Sequence, residues 1–172
     1  MIAPGRASRP LPDVVTPNVR SRMMAGIGPK DTRPEMMVRR GLHALGYRYR
    51  LHDRRLPGRP DLVFSSRRAV IFIHGCFWHG HDCSLFRWPG TRPQFWRDKI
   101  DGNIARDARV RNELLAAGWR VMDVWECQLR GRGRRPPGDV LVACAAFLDG
   151  DVSFASAGAD RTVRVDPPEA SG

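Results

Sequence analysis

Three of the five histidines and two of the four cysteines of this chain fall within His74-Gly75-Cys76-Phe77-Trp78-His79-Gly80-His81-Asp82-Cys83. Cys76, His81 and Cys83 supply three soft or borderline metal ligands, and Cys127, in Trp125-Glu126-Cys127, offers a fourth. Zn²⁺ favours such a tetrahedral set, and a closed set of four protein ligands is structural because no position remains for water. The alternative is that these cysteines are buried thiols behaving as small hydrophobes. That plainer role is expected of Cys144, which sits inside Val142-Ala143-Cys144-Ala145-Ala146.

His74 and His79 are left over from the zinc set, and Asp61 precedes His74 by thirteen residues. A carboxylate beside imidazoles suits metal-assisted hydrolysis. Asp holds Mg²⁺ by oxygen, and His moves protons near neutral pH. Mg²⁺ binds nitrogen poorly, so the histidines are expected to meet its waters rather than the ion. The alternative is a satisfied structural Asp with two exposed His. Phe77, Trp78, Trp88, Phe95 and Trp96 cluster in the same part of the chain, beside Arg87, Arg92 and Arg97. Such residues either stack on or wedge between bases, or they pack a core, as expected of Trp119 and Trp125.

The charge favours the first use. Lys and Arg number 29 against 18 Asp and Glu, a net +11 over 172 residues, and this points to a polyanion, nucleic acid first. The basic runs at 48–55 and 130–135 are expected to hold phosphate without reading bases. With 42% hydrophobic residues and a length near that of one ordinary domain, the chain can bury a real core. No apolar run reaches the roughly 18–20 residues of a membrane span, and the first ten residues lack the apolar stretch of a signal peptide. A cytoplasmic protein with reduced cysteines, and no membrane partner, is the expectation.

These residues need positioning elements. Residues 1–17, with four prolines, read as disordered, and so do 149–172, rich in Ala, Ser, Gly and Pro; the folded domain is expected over 18–148. A short alternating stretch at 162–165 is the one hint of an edge strand in that tail. Residues 18–27 read as a short basic helix. Thr32-Arg33-Pro34-Glu35 fits a capping box opening a second helix, with Gly46 at its C-terminal end. Strands are expected at 47–51, 61–64, 69–74 and 119–125, the third buried on both faces. A long helix is expected over 93–117, interrupted near Gly102 and ending at Gly118, and a last apolar helix over 140–148. The order α-α-β-β-β-α-β-α predicts an α/β domain around a central mixed sheet flanked by helices.

Several blocks together resemble the very short patch repair (Vsr) DNA mismatch endonucleases. They are Leu56-Pro57-Gly58-Arg59-Pro60-Asp61; Val70-Ile71-Phe72-Ile73 running into His74-Gly75-Cys76-Phe77-Trp78-His79; Thr91-Arg92-Pro93-Gln94-Phe95-Trp96; Asp98-Lys99-Ile100 with Asn103, Arg106 and Asp107; and Trp119-Arg120-Val121 followed by Val124-Trp125-Glu126-Cys127. The likeness covers about residues 18–132 in order.

This resemblance implies a restriction-endonuclease-like fold and an enzyme that nicks duplex DNA on the 5′ side of the T in a T:G mispair, such as arises when 5-methylcytosine deaminates. It implies catalytic Mg²⁺ on Asp61 and the backbone carbonyl of Ile73. His79 is then the principal acid/base group, oriented by Asp107, His74 positions water at the metal, and Glu35 adds an outer contact. Cys76, His81, Cys83 and Cys127 become the structural Zn²⁺ ligands. Phe77, Trp78 and Trp96 become a wedge beside the mismatch, and Met24 presses from the minor-groove side. A bacterial protein, monomeric and associated with the nucleoid through DNA, with downstream repair proteins as possible partners, completes the implied picture. The chain departs from the family pattern where Ile73 replaces a Thr and Gly80 replaces a His, and the acidic-x-Lys motif of the wider nuclease superfamily is absent after Asp61. Two rival readings are a restriction-type nuclease cutting intact duplex and a zinc-stabilised DNA-binding module without catalysis.

Overall fold

The computed structural model describes residues 31–157. Met24, the basic helix over 18–27, the first 17 residues and the stretch 162–165 lie outside the described residues. Helix α1 (Arg33–Ala44) opens at Thr32, whose hydroxyl accepts the Glu35 N–H at 3.4 Å. The Glu35 carboxylate reaches back to the Asp31 N–H at 2.9 Å, one residue earlier than a capping box places it. Its other oxygen is thereby left for partners on the far side, a point that matters for the site.

Strands β1 (Arg50–Leu51), β2 (Leu62–Phe64) and β3 (Ala69–His74) form an antiparallel run. Helix α2 (Pro93–Ala116) carries the chain back to β4 (Arg120–Trp125), which pairs parallel to β3 from Ala69↔Arg120 to His74↔Trp125. Helix α3 (Pro137–Asp149) returns it to β5 (Phe154–Ala157), parallel to β4. The result is a five-stranded mixed sheet in the order β1-β2-β3-β4-β5. Among the described residues, no helix is long and apolar enough to cross a membrane.

Side-chain alternation along the strands divides the core in two. Leu62, Phe64, Ile71, Met122 and Val124 pack with Val38 and Leu42 of α1 and Val140, Cys144 and Phe147 of α3. Val63, Val70 and Val121 pack on the opposite face against Val110 and Leu114 of α2. Cys144 is fully buried, and burial alone pushes its thiol up to about 12. It is a core residue, as its apolar surroundings in sequence suggest.

Two helix ends follow one rule. The Tyr47 N–H donates to Leu42 O and the Gly46 N–H to His43 O, while Trp119 and Gly118 repeat the pattern on Leu114 and Leu115. This cap needs a left-handed residue, which Gly46 (φ 92°) and Gly118 (φ 75°) provide. Arginines cover further carbonyls at the helix ends. Arg68 donates to those of Ala117 and Gly118, and Arg120 to those of Phe147 and Leu148.

The structure corrects the sequence reading in three places. Helix α2 runs unbroken through Gly102, whose missing side chain faces open space, so no packing demand bends the helix there. The strand expected at 47–51 is only Arg50–Leu51, paired with Leu62 and Val63. The segment from 149, expected to be disordered, contributes β5. That strand gains backbone partners along Val121–Val124, and the Trp125 indole N–H donates to Ser156 Oγ at 3.1 Å.

Arg120 joins α3 to the sheet by charge-assisted bonds in a half-buried setting, each of a class contributing about 1.5–3 kcal/mol. Arg120→Ala should therefore lower unfolding free energy in urea by roughly 1–3 kcal/mol. A change below a few tenths would mean that these bonds are replaced by water without loss.

Candidate active site and metal-ligand cluster

The parity that builds the core also builds a cleft. Asp61 shares the α2-facing side of β2 with Val63, and His74, Asp123 and Trp125 share that side of β3 and β4. Asn103, Asp107, Val110, Arg111 and Leu114 recur on the facing stripe of α2 at helical spacing. Between them lies a cleft of about 480 Å³, lined by Asp61, His74, His79, Asp107, Arg111 and Asp123, with Arg59 and Arg106 also on its walls.

Asp61 stands just before β2, and one carboxylate oxygen accepts the Ile73 N–H at 2.7 Å. Burial pushes its carboxyl above the ordinary range. The Ile73 hydrogen bond opposes this, and the nearby Glu35 charge reinforces it. His52 lies between the two acids, with Nε2 at 3.3 Å from Glu35 and Nδ1 at 3.6 Å from Asp61. The backbone of His52 is left-handed at φ 47°, a conformation in which His is among the commoner non-glycine residues. Donor atoms of Glu35, His52 and Asp61 lie within 4.8 Å of one another.

His79 lies in the loop beyond β3, and its Nδ1 is hydrogen-bonded to Asp107 Oδ2. Burial acts to raise the Asp107 carboxyl, but the bond to His79 and the charges of His79, His74 and Arg106 outweigh it, holding Asp107 below its ordinary range. His74 is buried, with Nε2 at 3.0 Å from Asp123 Oδ1 and its ring centroid 4.5 Å from that of His79. Two imidazole–carboxylate pairs thus stand side by side in one cleft with Asp61.

Beyond Trp125 the second cluster forms. Cys76, His81, Cys83 and Cys127 bring one donor atom each within 4.8 Å of the others. The Cys127 N–H donates to Cys76 Sγ at 3.3 Å, and Cys127 Sγ lies 3.6 Å from His81 Nδ1. The hydrogen bond with Cys127, then burial, holds the Cys76 thiol above its usual range. A divalent cation would reverse that preference by stabilising thiolates. Four donors on Zn²⁺ lie roughly 3.5–4 Å apart by its bond lengths and tetrahedral angles, so the set fits such an ion. The His81 ring stacks on Trp125 at 4.0 Å, which separates this cluster from the cleft.

An aromatic group stands beside both. Phe77 meets Trp78 at 5.2 Å and Trp96 at 5.3 Å, and Asn103 of α2 anchors the loop by donating to Trp78 O at 2.7 Å. Trp88 and Phe95 are half exposed, with Arg97 and Arg92 over their rings. Gly80 adopts φ 58°, and a Cβ there would meet Ile100 and Ile104 within 3 Å.

The structure brings together Glu35, Asp61, Ile73, His74, His79 and Asp107 in one neighbourhood and the four ligand candidates in another. His52, Arg111 and Asp123 are site residues that the sequence reading missed. Asp123 had a readable signal: it is a carboxylate inside the otherwise apolar run Val121–Val124, which implies a buried partner. His52, a lone His in an arginine-rich stretch, had none. Trp125, expected in the core, instead stands between the metal-ligand cluster and the histidines.

A mixed sheet that carries acids, histidines and a thiol–imidazole cluster at one end, in a chain of net charge +11, has the make-up of a nuclease. Comparison with known proteins gives the family. The model described as DNA mismatch endonuclease Vsr matches residues 12–85. The type II nicking enzyme V.XorIIP of Xanthomonas oryzae pv. oryzae is 50% identical over 121 residues, covering 70% of this chain and 89% of that protein. DNA mismatch endonuclease Vsr of Escherichia coli is 48% identical over 120 residues, 70% of this chain and 77% of the relative. The type II nicking enzyme V.NmeAIP of Neisseria meningitidis is 43% identical over 120 residues, 70% and 86%. The chain belongs to the Vsr DNA mismatch endonuclease family, and it is a DNA endonuclease.

Asp61 yields a test that combines stability with activity. A carboxyl whose folded pKa is raised holds its proton to higher pH than in the unfolded chain, so stability falls as pH rises through that interval. The full penalty is present once the pH exceeds the folded pKa. Asp61→Asn keeps the acceptor for Ile73 N–H and removes the charge beside Glu35. Without added Mg²⁺ it should melt higher than wild type at pH 7, with a smaller loss of stability above the carboxylate range, and it should not cut DNA. A variant that melts lower at pH 7 and still cuts would contradict both parts.

Proposed function

We propose that the protein nicks duplex DNA on the 5′ side of the T in a T:G mispair, in a Mg²⁺-dependent reaction that starts very short patch repair. The observation that carries this reading is one cleft holding Asp61, His74, His79 and Asp107 beside the Phe77–Trp78–Trp96 group. The names of the relatives support the two finer parts. Mismatched DNA is in the name of the E. coli protein, and nicking is in those of the Xanthomonas and Neisseria proteins. A restriction-endonuclease-like fold, a monomer acting at the nucleoid in a bacterial cytoplasm, and hand-over to downstream repair proteins complete the proposal.

Asp61 and the carbonyl of Ile73 would hold Mg²⁺. The N–H and C=O of one strand residue point to the same edge, so the carbonyl of Ile73 is directed towards the side where Asp61 accepts its N–H. When bound, the ion neutralises charge that builds up on phosphate. His79, with Nδ1–H held by Asp107, has Nε2 as the nitrogen that takes a proton from water or gives one to the leaving oxygen. His74 orients the attacking water, and Glu35 acts on Asp61 through His52. Arg59 and Arg106 supply positive charge to a phosphate in the cleft.

Cys76, His81, Cys83 and Cys127 would hold a structural Zn²⁺. Binding energy for such sites is on the order of 10 kcal/mol, so it ties the loop that carries His79 and Trp78. Elemental analysis should find about one Zn per chain, as four-ligand closure requires, and strong chelation should lower Tm and abolish nicking together. A zinc-free preparation that stays fully folded and active would rule the site out.

T:G recognition comes from an unequal balance. A wobble pair weakens the neighbouring stack, so parting that step costs less than in matched DNA, where it takes a few kcal/mol. Each aromatic stack returns about 1–3 kcal/mol. Met24, from the chain before α1, would support the mismatch from the minor groove. The deciding experiment compares nicking of T:G and matched duplexes with Mg²⁺ for wild type, Trp78→Ala and Trp96→Ala. Wild type should cut only the T:G duplex, and each variant should lose on the order of 10-fold more T:G activity than matched-duplex affinity. Cutting of matched duplex by wild type would favour a restriction-type nuclease, and absence of Mg²⁺-dependent cutting a binding module.

A further inference from the structure

Behind the two imidazoles lies a buried carboxylate, ion-paired with a partly exposed arginine, that the proposed chemistry does not use. Asp123 sits on β4 opposite Phe72 of β3, within a strand whose neighbours Val121, Met122 and Val124 are core residues. A carboxylate at 3% exposure is costly unless its oxygens are bonded. Each has a partner. Oδ1 lies 3.0 Å from His74 Nε2, and Oδ2 is ion-paired with the Arg111 guanidinium at 3.3 Å. Arg111 comes from the α2 stripe that carries Asp107, and its guanidinium lies 4.5 Å over the ring of Phe154, so β5 supports this chain from behind.

We propose that Asp123 is a positioning residue for His74, and that Arg111 fixes Asp123 in turn. A carboxylate only accepts hydrogen bonds, so Nε2 of His74 carries the proton and the neutral ring keeps its lone pair on Nδ1. Asp107 imposes the opposite choice on His79, where Nδ1 is bonded and Nε2 keeps the lone pair. Neighbouring rings are thereby held in opposite tautomers, so each keeps its lone pair on one defined nitrogen. The function of that acceptor on His74, orienting the attacking water, rests on the proposed nuclease reading.

Arg111 makes the arrangement testable, because a guanidinium only donates. In Asp123→Asn, which preserves shape, the amide oxygen must face Arg111 and the amide NH₂ must face His74. His74 Nε2 then becomes an acceptor and the ring proton moves to Nδ1.

The experiment uses full-length protein with ¹⁵N-labelled histidine and long-range ¹H–¹⁵N spectra at about pH 8 and above, taken where the spectra show the rings to be neutral. His74 should read as the Nε2–H tautomer in wild type and as Nδ1–H in Asp123→Asn. In the nicking assay on T:G duplex, kcat of the variant should fall about 10–100-fold, with KM and duplex affinity unchanged. A wild-type His74 carrying its proton on Nδ1 overturns the proposal from the spectrum alone, whatever the variant does. An unchanged kcat in a variant whose tautomer has inverted overturns it too, and leaves Asp123 as a countercharge for Arg111. Failure of wild type to nick T:G duplex would instead sink the functional reading, and the spectra would still decide whether Asp123 sets the tautomer.

Discussion

The hydrogen bond from the Ile73 N–H to the Asp61 carboxylate constrains everything around it. It ties the start of an antiparallel strand to the end of the central parallel pair, where β3 leaves the sheet. The residues that follow Ile73 then have little freedom. His74 must face α2, Cys76 must turn beneath Glu126, whose carboxylate accepts its N–H at 3.3 Å, and His79 must meet Asp107. A carboxylate held this way is unfavourable for the apo fold, because burial and the Glu35 charge both act against its ionised form. A buried carboxylate with these surroundings in a cleft is a candidate functional group, consistent with the proposed cation site.

Helix α2 supplies the second half of the geometry. One stripe of a 24-residue helix carries Asn103 to the Trp78 carbonyl, Asp107 to His79 and Arg111 to Asp123, and then Val110 and Leu114 to the core. Site and core share one rigid element, so precision in the first follows from packing in the second. The unbroken passage through Gly102 serves this end. A kink there would change the angle between the Trp96 end of the helix and the Asp107 face.

Local signals were legible in sequence, and distant pairings were so only where residue chemistry gave them away, as for Cys127. The Thr32 cap, the glycine ends at Gly46 and Gly118 and the apolar strand Ala69–His74 each depend on neighbours within a few residues, and each appears as read. Strand β5 depends on a parallel partner some thirty residues away, so its own small residues, Phe-Ala-Ser-Ala, carry no strong pattern. Trp125 alternates like a core residue, yet its face of β4 opens at the strand end, where it stacks on His81 and nears His74 instead. Glu35 reads as a helix cap and is one. Its contact with His52 appears only when β1 brings His52 alongside.

The loop between His74 and Cys83 must hold His79 and two large aromatic rings in place without regular helix or strand of its own. Hydrogen bonds alone tie it thinly: one from Asn103 and one to Glu126 are the side-chain anchors among the described residues that bear on its backbone. Apolar burial contributes little more, since Phe77 and Trp78 are only partly covered. The proposed metal ion, bound by Cys76, His81, Cys83 and Cys127, would supply the missing rigidity. Cys127 follows β4 directly, so the ion would join the loop to the same strand that carries Asp123. On this view the metal-ligand cluster and the two histidine–carboxylate pairs form one mechanical unit, joined through Trp125, whose indole is itself pinned to Ser156 of β5.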